Sequence, residues 1–413
     1  MTEPRIVLFD LKHTGHHANY IRHLIKHWQT LKLDGKLYVV VSPQFIEQHQ
    51  ATVKLASDHE NFGVEFVSIS HSEFGRIQNI GSTFDRMKGN LREWNLLCKY
   101  TAQLKANHCL VMYLDTCELP LVLGLKPPCP LSGIYFRPTF HYSSFLPEKL
   151  SKKEKLQQWR DRLFLDRTLR NPQLHTLFCL DPLVDQSIKK LYPSVRAVPL
   201  EDPIEIPVSQ SADIQPLRAK HKIPDDRKVF ILFGSIDSRK GIYKLLQALK
   251  LLSSEICKTY CFLIVGPASS ADQARICAEI DLICQDQPLQ VVTHFEFISD
   301  AEVEAYFQLA DVVLALYQRH VGMSGILLLA AAAQKPIISS DYGLMGELTR
   351  RYGLGTTLDS TAPQAIADEL TQIYAEQGLD CDLEGMQRFV DGNSASKFAK
   401  TIFDHIHPSP ALI

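Results

Sequence analysis

The sequence predicts an α/β protein made of two Rossmann-like, doubly wound domains facing a cleft. Three observations carry this expectation. Short, wholly apolar, β-rich runs recur in both halves of the chain, segments with helical apolar spacing separate them, and a proline-spotted stretch divides the chain near its middle. Strands that are apolar on both faces belong in a parallel sheet covered by helices on both sides. The 413 residues, 45% of them apolar, suffice for two cores and exclude a mostly disordered chain.

In the first half the candidate strands are Ile6–Phe9, Leu37–Val41, Val64–Ile69, Cys109–Leu114, Gly133–Phe136 and Thr176–Leu180, with helix-like segments such as Asn19–Leu31 between them. Residues 1–203 form the first domain in this reading. The stretch from Pro199 to Pro216, with Asp202-Pro203 and Glu205-Ile206-Pro207, reads as a linker, placed at 204–217. The second domain, 218–393, is more regular. Val229–Phe233 is followed by a helix with Ile242, Leu245, Leu246, Leu249 and Leu252 on one face. Cys261–Gly266, a helix around Ala271–Cys284, a strand around Val291–Phe295, and Ser299 placed to box Glu302 come next. Asp311–Tyr317 is a strand, Ile326–Ala333 a buried helix, Pro336–Ser340 a strand and Gly346–Arg351 a helix. Residues 394–413 carry an amphipathic helix with Phe398, Ile402 and Ile406 in phase, expected to pack back on the first domain.

Lys and Arg total 44 against 46 Asp and Glu, a balance that argues against a general nucleic-acid binder. The chain runs from Met1 straight into a strand pattern, with no cationic leader and no cleavage site, so no signal peptide is expected. Its longest uncharged apolar stretch, Gly325 to Ala333, is about half of a membrane span. Ten cysteines include no C-x-x-C pair, and most sit in apolar runs, as buried thiols do in a reducing cytosol.

Two turns in the second half carry chemistry. The run Phe233-Gly234-Ser235-Ile236-Asp237-Ser238-Arg239-Lys240-Gly241 places two cations at a strand-to-helix turn, and Gly241 lets the chain turn tightly. The run Gly322-Met323-Ser324-Gly325 offers backbone amides at the head of a helix. A departing diphosphate needs both kinds of group. In this order, with Leu263–Gly266 and Ala310–Leu314 between them and Gln334–Asp341 and Gly346-Glu347 after them, the two turns resemble the signatures of GT-B glycosyltransferases, especially the large retaining family 4. The resemblance covers residues 225–360 well and the first half by layout and short runs.

The resemblance implies transfer of a sugar from a nucleotide-sugar to an acceptor hydroxyl on a saccharide or lipid-linked saccharide, with retention of anomeric configuration and no resident cofactor. Arg239 and Lys240 would stabilise the leaving diphosphate, and Gly234, Ser235, Gly241, Gly266, Gly322, Met323, Ser324 and Gly325 would bind the donor. His141, in the Thr-Phe-His-like run after Gly133–Phe136, would orient the sugar, with Arg137 beside it. Gly15, His16 and His17 open the first helix where this fold places a loop over donor or acceptor. Asp115 either lines the acceptor pocket or caps the next element. The family's two glutamates, eight positions apart, are replaced by Val321 and Leu329, and no Asp or Glu occurs from Val312 to Ser340. Glu347 is the nearest carboxylate able to stand in. Ser235 replaces the arginine common after Gly234.

His13, His16, His17, His23 and His27 cluster in sequence, but no Cys or carboxylate completes a zinc spacing, and no metal is expected. His23 and His27 read as surface residues. Residues 149–170 hold eight basic and three acidic side chains among leucines and a tryptophan. That composition suits either a solvated helix or peripheral contact with an anionic membrane, at the inner face of a cytoplasmic protein. Two other classes compete: a GT-B-like nucleotide-sugar epimerase, which needs an acid/base carboxylate pair, and a non-catalytic relative, which the missing glutamates favour. No G-x-G-x-x-G follows a strand, which disfavours an NAD-dependent oxidoreductase.

Overall fold

The computed structural model describes residues 3–13, 17–57, 63–78, 83–136, 152–181, 188, 196–203, 213–320 and 322–407. They fall into two compact units. One holds the described residues up to 203 together with 394–407, and the other holds residues 213–393.

In the first unit seven parallel strands form one sheet: β1 (Arg5–Asp10), β2 (Lys36–Val41), β3 (Val64–Ser68), β4 (His108–Val111), β5 (Leu131–Tyr135), β6 (Leu174–Cys179) and β7 (Ala197–Pro199). Their order is β3-β2-β1-β4-β5-β6-β7. Val7, Phe9, Val40 and Val111 face Trp94 and Leu97 on one side. Ile6, Leu8, Val39 and Leu110 face Ile21, Leu24 and Trp28 on the other, joined by Phe398, Ile402 and Phe403 of the C-terminal helix Ala395–Ile406. Burying both faces explains why these strands read as continuous apolar runs.

The second unit repeats the plan with β8 (Lys228–Phe233), β9 (Tyr260–Val265), β10 (Gln290–His294), β11 (Val312–Ala315), β12 (Ile337–Ser340) and β13 (Gly355–Leu358), in the order β10-β9-β8-β11-β12-β13. Phe230, Leu232, Phe262 and Ile264 are buried under Leu245, Leu246 and Leu249 of the helix Ile242–Leu249. In each sheet the strand order reverses beside the first strand, between β1 and β4 and between β8 and β11. Loops at the carboxyl ends of such switch points diverge, leaving room for a ligand.

Several elements differ from the sequence reading. The strand placed at Cys109–Leu114 ends at Val111, and Leu114–Thr116 forms a 3-10 turn that carries Asp115. β7 and β13 lie at sheet edges and have no strong apolar signature. Gln215–Lys220 within and beyond the expected linker is helical, with Pro216 in its first turn, where a missing N–H costs nothing. Residues 204–212 of that linker lie outside the described set. His23 is buried at 3% exposure rather than on the surface, and His27 stacks on Phe403. No helix among the described residues is long and apolar enough to cross a membrane.

Candidate functional site

At the carboxyl end of β8 the chain enters a turn that only glycine permits. Gly234 has φ +108°, and Gly266, at the end of neighbouring β9, has φ +124°. A Cβ on Gly266 would stand 2.2 Å from the Gly234 carbonyl oxygen, so Gly266 serves close approach of the two loops. Asp237 then caps a 3-10 turn, Ser238–Lys240, and its carboxylate accepts from the Lys240 amide at 3.3 Å. Gly241 follows with φ +79° and launches the helix Ile242–Leu249.

This turn drives Lys240 inward, to 7% exposure. Its ammonium donates to the Phe233 carbonyl oxygen at 2.9 Å and to the Tyr317 hydroxyl oxygen. Tyr317 follows β11, and its hydroxyl lies 2.6 Å from Ser324 Oγ. An ammonium has no lone pair, so it must donate to Tyr317, and Tyr317 in turn donates to Ser324. The Ser324 hydroxyl proton is left uncommitted among the described residues.

Ser324 sits at the N-cap of the helix Gly325–Ala332 without a side-chain cap bond. The first amides of that helix, Gly325 and Ile326, donate to no group among the described residues. One buried cation, one hydroxyl and two bare amides at a helix N-terminus therefore gather at the β8–β11 switch point. That set stabilises anions and holds no carboxylate of its own. Arg239 is half-exposed, 3.8 Å from the Asp237 carboxylate, with its guanidinium 5.5 Å from the Tyr317 ring centroid.

A further layer fixes Tyr317. Gln318 donates to the Leu316 carbonyl at 2.9 Å and the Ser360 carbonyl at 2.8 Å, and the buried Ser360 hydroxyl donates to the Tyr317 carbonyl at 2.8 Å. A cavity of ≈ 150 Å³ opens beside this layer, lined by Arg319, Ser340, Asp341, Tyr342, Asp359 and Thr361 among others. Glu347 lies elsewhere on its helix, bound by Arg351 at 3.0 Å and near Arg350 at 3.9 Å. Ser235 is exposed, and Gly322 and Met323 are partly buried.

The first unit gathers a second set of groups at its own switch point. Asp10 closes β1 and is 3% exposed. Its Oδ1 accepts from the Lys12 amide at 3.0 Å, and its Oδ2 faces His17 Nδ1 at 2.5 Å. The His17 ring stacks on Phe136 and meets Tyr113 edge-on. The Lys12 ammonium lies 3.3 Å from the Tyr113 ring centroid. On the helix Thr83–Gln103, Glu93 accepts from the Thr116 hydroxyl at 3.1 Å. Burial pushes Glu93 up to about 7; the Thr116 bond works against that and the Asp10 carboxylate with it. Burial, and then the Asp115 and Asp161 carboxylates, push Glu118 up to about 8. The Asp115 carboxylate accepts from the Phe136 amide at 3.1 Å, a bond that ties the turn to the loop after β5.

The sequence-predicted Lys240 and Ser324 thus meet through Tyr317, which sequence reasoning missed, as it missed Gln318, Ser360, Asp10 and Glu93. Gly15, His16, Arg137 and His141 lie outside the described residues. A larger cavity of ≈ 440 Å³, lined by His108, His175, Arg196 and His405, lies at the amino ends of β4 and β6, away from both switch points.

Residues 213–388 match the family described as Glycosyl transferases group 1. No curated protein matches the chain. Among solved structures, the sucrose-phosphate synthase (tll1590) from Thermosynechococcus elongatus is similar at TM-score 0.69 and 13% identity, covering 97% of this chain and 98% of that one. Alr3699/HepE from Anabaena, in complex with UDP and glucose, gives TM-score 0.63 and 13% identity over 97% and 98%. WaaG, a glycosyltransferase involved in lipopolysaccharide biosynthesis, gives 0.60 and 14% over 98% and 100%. At these identities the likeness is one of fold, and the fold is GT-B. The group 1 match lies within the second unit, and the likeness in fold extends over both units.

Proposed function

We propose that the chain is a retaining, family 4-like glycosyltransferase that holds the donor diphosphate on Lys240, Ser324 and the amides of Gly325 and Ile326. The observation that carries this is the Lys240–Tyr317–Ser324 chain, which joins the two separated signature turns. Donors aimed at the leaving diphosphate favour the transition state, in which charge builds on that group. Gly234 and Gly241 shape the cationic turn, and Arg239, on the rim, adds screened charge.

The acceptor is a saccharide or lipid-linked saccharide hydroxyl, and the nucleotide-sugar is a co-substrate with no resident cofactor or metal. UDP and glucose bound in a structural neighbour support a UDP-sugar as the first donor to test. His141, Arg137, Gly15 and His16 keep the roles that the family resemblance gives them. Asp115 and Glu347, both already bonded, serve as supports rather than ligands.

Peripheral contact with the cytoplasmic face of a membrane belongs to the same reading. On the helix Lys152–Leu169, Leu156 and Trp159 are 66% and 62% exposed beside Arg160 and Arg162. Sedimentation with anionic vesicles tests it, and equal recovery with neutral vesicles counts against it.

A panel of UDP-, GDP- and ADP-sugars scored by nucleoside diphosphate release tests the transfer itself. Lys240→Ala is expected to lose roughly 100-fold or more in turnover with its fold intact. Unchanged turnover refutes the site. Binding of a nucleoside diphosphate without any turnover identifies a non-catalytic relative, and sugar conversion without diphosphate release identifies an epimerase.

A further inference from the structure

We propose that the first unit carries an anion site at the amino ends of its strands, and that this site takes the phosphate group of a small phosphomonoester. The proposal stands apart from the transferase reading, and every residue it uses belongs to the first unit. The cavity of ≈ 440 Å³ is framed by residues at the starts of β4, β6 and β7 and by the last turn of the helix Ala395–Ile406. Its volume suits a small molecule rather than a bare ion.

Basic groups crowd this cavity without a carboxylate to balance them. Arg196, His175 and His405 line it, and both Arg196 and His405 act electrostatically on His175. Arg196 is exposed, and its guanidinium binds nothing among the described residues. Asp404, also on the wall, is met by Lys400 at 2.5 Å. The carboxyl end of the helix adds only partial negative charge. Arg196 is the charge left over, and an uncompensated guanidinium in a concave site attracts an anion.

The hydrogen bonds already made decide which atoms remain. His405 Nδ1 donates to the Thr401 carbonyl at 2.7 Å, and His407 Nε2 donates to the Asp34 carbonyl at 2.8 Å. His405 Nε2 and His407 Nδ1 are left over, and each becomes a donor on protonation. His175 Nδ1 lies 2.9 Å from Thr176 Oγ1, which leaves Nε2. Asn107 Oδ1 accepts from the Arg5 amide at 2.8 Å, which leaves its NH₂ to donate. A guanidinium meets two phosphate oxygens in parallel, and the others accept from amide and imidazole donors. A carboxylate has only two oxygens and would leave donors unmet.

Binding is coupled to one proton. Burial, then Arg196 and then His405, push His175 toward its neutral form. Burial, with His175 beside it, holds His108 down to about 4, so that ring stays neutral against Ser132 Oγ at 2.8 Å. Arg5, from β1, is turned to the Leu104 carbonyl at 3.4 Å. An anion beside Arg196 offsets both repulsions at His175 and draws a proton onto its ring.

Calorimetric titration of the full chain with ribose 5-phosphate at pH 7.5, where the phosphate is mostly a dianion, is expected to show binding that ribose does not. Repeated in buffers of different ionisation enthalpy, it is expected to show uptake of up to about one proton, lost in His175→Gln. Arg196→Gln is expected to weaken binding about 10-fold or more. Its backbone carbonyl still accepts from the Leu177 amide at 2.9 Å, and an unshifted melt confirms the fold. Lys240→Ala is expected to bind ribose 5-phosphate as wild type does. Inorganic phosphate that binds as tightly as the ester supports the site and makes the free ion its ligand. Binding about 10-fold weaker places the carbon part of the ester in the cavity. Failure of both phosphates to bind overturns the proposal, as does equal binding of ribose. Affinity that survives Arg196→Gln, or falls in Lys240→Ala instead, overturns it too, and binding without proton uptake removes His175 from the site.

Discussion

Replacing Tyr317 by phenylalanine removes one oxygen and cuts the link between the two signature turns. In the native chain the Lys240 ammonium has two protein acceptors, the Phe233 carbonyl at 2.9 Å and the Tyr317 hydroxyl. The variant leaves the first, and it leaves the ring, whose centroid lies 4.4 Å from the ammonium. The cation therefore stays close to its place but loses a charge-assisted bond of about 1.5–3 kcal/mol. Ser324 loses the donor that points its own proton outward. At about 1.4 kcal/mol per decade, affinity for a nucleoside diphosphate should fall roughly 10- to 100-fold. Calorimetric titration with UDP reads this directly, and a thermal melt shifted by only a few degrees confirms that the fold survives. If Tyr317→Phe binds UDP as tightly as wild type while Lys240→Ala does not, the relay plays no part and Phe233 alone sets the lysine.

Two more outcomes follow from the same geometry. Gly241→Ala places a Cβ 2.1 Å from the Leu316 carbonyl oxygen at a residue with φ +79°, so it should cost about 2–4 kcal/mol. Its melting temperature should fall by roughly 5–15 °C, and an unchanged melt would show that the turn relaxes freely. Glu93 rises to about 7 in the folded chain from an ordinary carboxylate value, so the folded state binds its proton more tightly. That contribution is whole below the unfolded value and is lost as pH rises through about 7. Glu93→Gln should therefore gain on the order of 1–3 kcal/mol relative to wild type between pH 5 and pH 8, read by denaturant melts at both; a difference that does not move with pH refutes the buried carboxyl.

The fold was legible because its strands are apolar on both faces. Val229–Phe233 and Cys261–Val265 are buried along nearly their whole length, and no amphipathic alternation blurred the reading. The edge strands β7 and β13 escaped because only Ala197 of β7 and no residue of β13 is fully buried, so their composition resembles that of loops. The cationic turn was legible as a spacing: Lys240 lies six residues past Gly234 and just before the glycine that starts the helix. Tyr317, Ser360 and Asp10 had no such pattern. Each is a single polar residue at a strand end, just past one or in a loop, and its role depends on a partner between 7 and 43 positions away. His17 was visible as a chargeable residue at a helix start, but its partner Asp10 read only as the end of an apolar run.

The glutamates missing from the second signature change what this donor half is able to do. Leu329 lies in the helix Gly325–Ala332, whose Ile326, Leu327 and Leu328 are buried. An apolar side chain at that position adds to packing and offers no acceptor for a ribose hydroxyl. The groups that converge at the β8–β11 switch, Lys240, Ser324 and two amides, all donate. In the proposed site such donors would meet phosphate oxygens, which every nucleoside diphosphate shares. Asp237 is taken up in capping the turn, and Asp341 and Asp359 line the neighbouring cavity with Arg319. Under the proposed reading, grip on the donor would be concentrated on its diphosphate, which is also where charge grows as a sugar departs. A site weighted in this way gives up ground-state selectivity among nucleotides while keeping the interactions that accelerate bond breaking. Loss of the paired glutamates is therefore compatible with turnover.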